Sequence, residues 1–295
     1  MRQRLFLGCW FALFGAMAFN LAHAASVADF PDFSLRSGTT TLLPGRMYIP
    51  PAAVSDPATP RPLILFMHGA GESGTNNLAQ INGNLDNLLA EAKRRGAFLY
   101  APQTNGGWGV ATILDRVMTM VNRAVAEQPV DDTRLYVTGL SMGGGGTWNM
   151  LNRFDDRFAA AAAICAVSPA SGYVPLNLVD QPIWAFHARN DGTVSFNTTR
   201  TVVGGILAAG GAPAPAYPAS PTADFNFTST SLDLRYTEYL TGGHGIWGRV
   251  YNTPAMYDWL FSHSTVPEPG GIALLVTAAT IFVTRRRLTA RRSRA

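Results

Sequence analysis

Residues Gly139-Leu140-Ser141-Met142-Gly143 follow directly on the apolar run Leu135-Tyr136-Val137-Thr138. A strand that ends in G-x-S-x-G and passes straight into a helix must turn within two or three residues. A side chain at either flanking position would meet neighbouring backbone, so glycine stands at both. The serine between them sits in a strained conformation with its hydroxyl lifted clear at the strand's carboxyl end. The next backbone N–H, that of Met142, then lies where negative charge would develop on a carbonyl oxygen attacked by the serine. The chain holds 29 glycines, so the pentapeptide by itself is a weak signal. Order gives it weight: Thr147-Trp148-Asn149-Met150-Leu151 continues as a helix, so strand, turn and helix follow one another. The expectation is a nucleophilic serine.

Both ends of the chain read as sorting segments. Met1-Arg2-Gln3-Arg4 is basic, Leu5 to Leu21 is apolar, and Ala22-His23-Ala24 is an A-x-A cleavage site. Residues 1–24 are therefore expected to be a secretory signal peptide. At the other end, Val266-Pro267-Glu268-Pro269-Gly270 precedes an apolar run, 271–284, and an arginine-rich end from Arg285 to Arg294. That run is about 14 residues, short of the ~20 that cross a bilayer comfortably. The arginines would stay on the cytoplasmic side. Residues 266–295 resemble the PEP-CTERM sorting signal of Gram-negative bacteria. The resemblance implies an exosortase-type processing enzyme acting at Pro267–Pro269, with transient or permanent membrane anchoring through 271–284. An ordinary single-pass anchor is the alternative. Either reading places the protein outside the cytoplasm, in the cell envelope, at the cell surface or secreted.

These segments also account for the charge. The chain carries a formal +4, but residues 25–266 hold 15 basic and 18 acidic groups, a formal −3. The basic balance belongs to the ends, and no nucleic-acid partner is inferred from it. Cys9 leaves with the leader. Cys165 alone remains, in an apolar run, and reads as a buried structural thiol. The histidines share no metal-ligand spacing, so no metal is expected.

Residues 25–265 suffice for one domain with a substantial core. Leu63 to Met67 is a continuous apolar run and reads as a buried strand, as does Ala97 to Ala101. Ile113 to Ala126 has helical spacing. Leu135 to Thr138 reads as a strand and Met142 to Leu151 as a helix. Phe158 to Val167 and Ile183 to His187 are further strands. Thr198 to Ala209 is a helix weakened by Gly204-Gly205, Leu234 to Leu240 a strand, and Thr253 to Ser262 a closing helix. Gly210 to Asp224 is an irregular loop. Strands alternating with helices imply an α/β fold: a mostly parallel central sheet with helices on both faces.

A nucleophilic serine needs a base, an acid that orients the base, and oxyanion donors. Asp191 follows the apolar strand Ile183 to Phe186, so it falls at the carboxyl edge where open α/β sheets place their sites. Its rival Asp180 precedes that strand and falls at the wrong edge. His244, in Gly242-Gly243-His244-Gly245, follows the last strand and is the candidate base. His68 and His187 read as strand-end residues. The loop His68-Gly69-Ala70-Gly71-Glu72-Ser73-Gly74 is the candidate second oxyanion element, with Ala70 as donor and Gly71 as its rival. His68 is expected to brace that loop. Glu72 is a bracing carboxylate, a substrate contact or a solvated charge. Trp108, Trp148 and Trp247 either belong to the core or shape a pocket, with Trp247 the foremost pocket candidate because it lies three residues past His244.

Together, His68-Gly-Ala-Gly-Glu-Ser-Gly, Tyr100-Ala-Pro-Gln, Tyr136-Val-Thr-Gly-Leu-Ser-Met-Gly-Gly, Asn190-Asp-Gly-Thr-Val and Gly243-His-Gly-Ile-Trp resemble the phospholipase/carboxylesterase branch of the α/β-hydrolases. Its extracellular members labelled predicted peptidases or feruloyl-esterase-like proteins are the most similar. The likeness covers roughly residues 45–262. It implies Ser141 as nucleophile, Asp191 as orienting acid, His244 as base, and the Met142 and Ala70 N–H groups as oxyanion donors, with no cofactor. Ser73 departs from the arginine common after the glutamate in that branch, which bears on substrate contacts. The expected activity is cleavage of a carboxylic ester, with acyl groups on extracellular polysaccharide as the suggested substrate. A serine peptidase on the same fold and a non-catalytic surface or matrix protein are the rivals.

Overall fold

A computed structural model describes residues 25–265. The expected leader, 1–24, and the segment 266–295 with its apolar run 271–284 lie outside the described residues. In chain order the strands are β1 (Leu35–Ser37), β2 (Thr40–Leu43), β3 (Gly45–Tyr48), β4 (Arg61–Met67), β5 (Phe98–Pro102), β6 (Val130–Leu140), β7 (Ala160–Ile164), β8 (Ile183–Ala188), β9 (Phe225–Thr228) and β10 (Leu234–Tyr239). The helices are α1 (Pro51–Ser55), α2 (Asp86–Arg95), α3 (Ala111–Glu127), α4 (Met142–Arg153), α5 (Phe196–Ala209), α6 (Trp247–Tyr251) and α7 (Pro254–Leu260). No helix among the described residues is long and apolar enough to cross a membrane.

Eight strands form one sheet in the order β3-β5-β4-β6-β7-β8-β10-β9. β5, β4, β6, β7, β8 and β10 run parallel. β3 and β9 pair antiparallel at the two edges. Alternation sorts the side chains of the parallel strands into two cores. Leu63, Leu65 and Met67 of β4 belong to one core together with Val117 and Val121 of α3 and Val203 and Ile206 of α5. Ile64 and Phe66 face the other way, toward Leu88 and Leu89 of α2 and Tyr257 and Leu260 of α7. A sheet buried on both faces favours apolar side chains at successive positions, which is why β4, β5 and β7 read as nearly unbroken runs.

From β4 the chain passes to β5 on one side and later to β6 on the other. That reversal opens a crevice between the carboxyl ends of β4 and β6, the place where sheets of this kind bind ligands. Helix α4 starts at the crevice with Gly143 to Gly146, and each glycine is a close contact. A Cβ on Gly144 would lie 2.7 Å from the Ile164 carbonyl oxygen, and one on Gly146 would lie 2.7 Å from Cβ of Trp108. Ala161 and Ala163 of β7, which face the same core as α4, leave the matching room on that side of the sheet.

The mostly parallel sheet covered on both faces is as expected; several details differ. Strand β7 ends at Ile164 because the chain leaves the sheet at Cys165, whose φ is +38°. Strand β6 starts five residues early, at Val130, across an irregular pairing with Arg61 and Leu63. Helix α2 and the short strands β1, β2, β3 and β9 are additions to the sequence reading. The described chain closes at the amino end of β6, where the Thr265 N–H donates to the Thr133 carbonyl at 2.8 Å.

Candidate active site

Ser141 ends β6 and caps α4 with φ 54° and ψ −115°. Its backbone is held on three sides: its N–H donates to the Ile164 carbonyl at 2.9 Å, and its carbonyl accepts from Gly145 at 3.1 Å and Val167 at 3.2 Å. A Cβ on Gly139 would collide with the Gly143 carbonyl, and one on Gly143 with the Met67 carbonyl. The left-handed serine therefore persists because its surroundings leave it no relaxed alternative, at a cost of about 1–3 kcal/mol.

The Ser141 hydroxyl donates to His244 Nε2 at 2.9 Å. On the far side of the ring, Nδ1–H donates to Asp191 Oδ2 at 2.7 Å. The three residues come from the loops after β6, β8 and β10, so the sheet gathers them at one edge. The Asp191 side chain is fully buried, whereas that of His244 keeps 20% of its surface exposed. Asp191 Oδ1 accepts from the Thr193 and Val194 N–H groups at 2.8 and 2.9 Å. Burial pushes the carboxyl upward, but hydrogen bonds from His244, Val194 and Thr193 outweigh it and hold Asp191 below the ordinary carboxylate range. Its rival Asp180 lies before β8, lining a cavity with Asp132 and Asp156. It takes no part in this arrangement.

Ala70 opens a short 3-10 turn, Ala70–Glu72, and Met142 opens α4. An N–H at the first helical position has no acceptor within its own helix, and neither group meets a backbone acceptor among the described residues. The Ala70 loop lies against the end of β6: a Cβ on Gly69 would be 2.7 Å from Cδ1 of Leu140. His68 braces this loop from inside. Its Nδ1–H donates to the Gly69 carbonyl at 2.7 Å, and its Nε2 accepts from the Thr104 N–H at 3.1 Å. Trp108 donates to the His68 carbonyl at 2.9 Å.

Of the three tryptophans, two take the core alternative: Trp108 and Trp148 are 1% and 0% exposed. Trp247 stands edge-on to His244, ring centres 5.7 Å apart. Its indole N–H donates to Asn84 Oδ1 at 2.9 Å, and Asn84 Nδ2 donates to Glu72 Oε1 at 2.7 Å. Glu72 thus braces, and the chain Trp247-Asn84-Glu72 ties the Ala70 loop to the His244 loop. Asn84 carries no sequence signal for this part.

His187, read from sequence as a strand end, is fully buried in β8, and its Nε2 lies 3.1 Å from Asp191 Oδ2. The pKa values of His187 and His68 both lie below the ordinary imidazole value of 6.5, chiefly through burial. Near pH 6.5 the unfolded chain therefore binds more protons at these two residues than the folded chain does. Stability is present above that pH and declines as the pH falls below it. A melting temperature that falls between pH 7 and pH 5, before the carboxylates titrate, is the expected result; a flat profile would contradict it.

No family model matches the chain. In fold it is similar to solved α/β-hydrolases, and it has the α/β-hydrolase fold. A thermostable esterase superposes with a TM-score of 0.66 and 30% identity, over 81% of this chain and 64% of that one. An acetyl xylan esterase from Aspergillus awamori superposes with a TM-score of 0.60 and 13% identity, over 78% of this chain and 98% of that one, a likeness of fold alone. Among curated proteins, a poly(3-hydroxybutyrate) depolymerase of Ralstonia pickettii is 28% identical over 155 residues. The chain spans 32% of that depolymerase's length, and 45% of this chain is matched.

Proposed function

We propose that this chain is a serine hydrolase that cleaves carboxylic esters through an acyl-enzyme. The hydrogen-bond relay from Ser141 through His244 to Asp191, at 2.9 and 2.7 Å, carries the reading. His244 Nε2 takes the Ser141 proton as Oγ attacks the ester carbonyl carbon. The carbonyl π electrons move onto oxygen, where the Ala70 and Met142 N–H groups stabilise the charge. The intermediate collapses, the C–O bond breaks, and His244 hands its proton to the departing alcohol. Water, deprotonated by His244, then releases the acid and restores Ser141. Asp191 stays a carboxylate throughout and holds His244 in the Nδ1–H tautomer.

The basic-apolar-AHA leader and the Pro267-Glu268-Pro269 ending support a place of action outside the cytoplasm. Those segments favour an extracellular substrate, with acyl groups on polysaccharide as the first candidate. The depolymerase similarity favours a second, a polyester of hydroxy acids, cleaved by the same chemistry. Assays with p-nitrophenyl acetate and butyrate, acetylated and feruloylated glycans, hydroxybutyrate oligomers and chromogenic peptides separate them. Turnover of esters with labelling by a fluorophosphonate is expected. Peptide turnover alone would move the assignment to a peptidase. Neither turnover nor labelling would leave a non-catalytic protein on this fold.

A further inference from the structure

Asp191 Oδ2 faces two imidazoles, and only His244 reaches Ser141. The second, His187, presents Nε2 to Asp191 Oδ2 at 3.1 Å and to the Val194 carbonyl at 3.0 Å. Both are acceptors, so Nε2 carries the proton and donates to them. Nδ1 lies 2.8 Å from the Thr199 hydroxyl, which can donate to it and fix the ring as the neutral Nε2–H tautomer. The side chain is without solvent contact. Every lone-pair direction of the Asp191 carboxylate thereby has a donor: two backbone N–H groups on Oδ1, two imidazoles on Oδ2.

We infer that His187 is a positioning residue for the hydrolytic reaction. Its Nε2–H pins Asp191 Oδ2 in the orientation that holds His244 toward Ser141. This rests on the reading of Ser141, His244 and Asp191 as the reacting groups. A buried carboxylate with one donor missing can rotate or take up a proton, and either change releases the His244 ring. An ordinary core histidine would satisfy its own ring nitrogens and no more. Here the acceptor on one side is the acid of the relay, and β8 supplies both: His187 inside the strand, Asp191 just past its end.

The glutamine amide nitrogen reaches about where Nε2 stands, and that of asparagine only to about Nδ1. His187→Gln therefore keeps a donor on Asp191, while His187→Asn keeps the polar contact with Thr199 and loses Asp191. The readout is kcat and KM for p-nitrophenyl acetate with the whole chain, each preparation referred to the sites titrated by a fluorophosphonate so that unfolded protein drops out. His187→Asn is expected to lower kcat about tenfold or more with KM within about twofold, and His187→Gln to restore most of it. Equal kcat in the two variants, whether both near wild type or both depressed, would overturn the proposal. Wild-type protein that neither turns over the ester nor takes the label would remove the underlying reading, and this one with it.

Discussion

Ser141→Ala is expected to lower kcat for p-nitrophenyl esters by on the order of 10⁴–10⁶-fold, the range seen when a nucleophile of this kind is removed. The fold should survive. Among the described residues the Ser141 side chain bonds only to His244, and the three bonds that fix its backbone to Ile164, Gly145 and Val167 belong to main-chain atoms. The melting temperature of Ser141→Ala should thus stay near wild type while fluorophosphonate labelling disappears. Ser141→Gly sharpens the test. Glycine adopts φ 54° without a Cβ penalty, so this variant should be as inactive and more stable, by about 1 kcal/mol. Ester turnover persisting in either variant would displace Ser141 from the chemistry.

Gly143→Ala is the second large effect, and here the expected sign runs against helix propensity. In the interior of a helix alanine is better than glycine by about 1 kcal/mol. The added methyl at Gly143 would collide with the Met67 carbonyl. No rotamer relieves a clash between a Cβ and backbone, so β4 and α4 must part. The cost should exceed about 4 kcal/mol, with the melting temperature falling by about 10 °C or more and activity lost with it. Gly204→Ala in α5 is the control. A Cβ there meets nothing within 4 Å, so propensity decides alone and the melting temperature should rise by about 2–4 °C. A similar change in both variants would mean that close packing of α4 is not what its glycines provide.

The geometry at Ser141 was readable in the sequence because the constraint is local. A five-residue turn with glycine at both flanks permits few conformations, and an apolar run before it states that a strand arrives there. Asp191 was readable for a related reason: it follows the apolar run that a buried parallel strand requires, whereas His244 was readable from its place in a glycine-rich loop after the last strand. The edges were not readable. β3 and β9 are four residues each, and an antiparallel edge needs no unbroken apolar run. For α2 the signal was present, in Leu85, Leu88, Leu89 and Ala92 at helical spacing and Gly96 at its end, but at ten residues the helix is short and its apolar stripe is brief. Residue type alone does not separate pocket from core, which is why Trp108 and Trp148 were candidates until their burial was known. The contact between His187 and Asp191 depends on how the chain bends after β8, and spacing does not encode that bend.

Thr265 is fastened at the foot of β6, to Thr133, and Ser141 stands at the head of the same strand. Eight residues of extended chain separate Thr133 from Ser141, a span of about 26 Å. The described residues therefore end at the edge of the sheet opposite the crevice. Under the proposed anchoring through the segment that follows, Ser141 would face away from the point of attachment, and a substrate arriving from the medium would meet the crevice first.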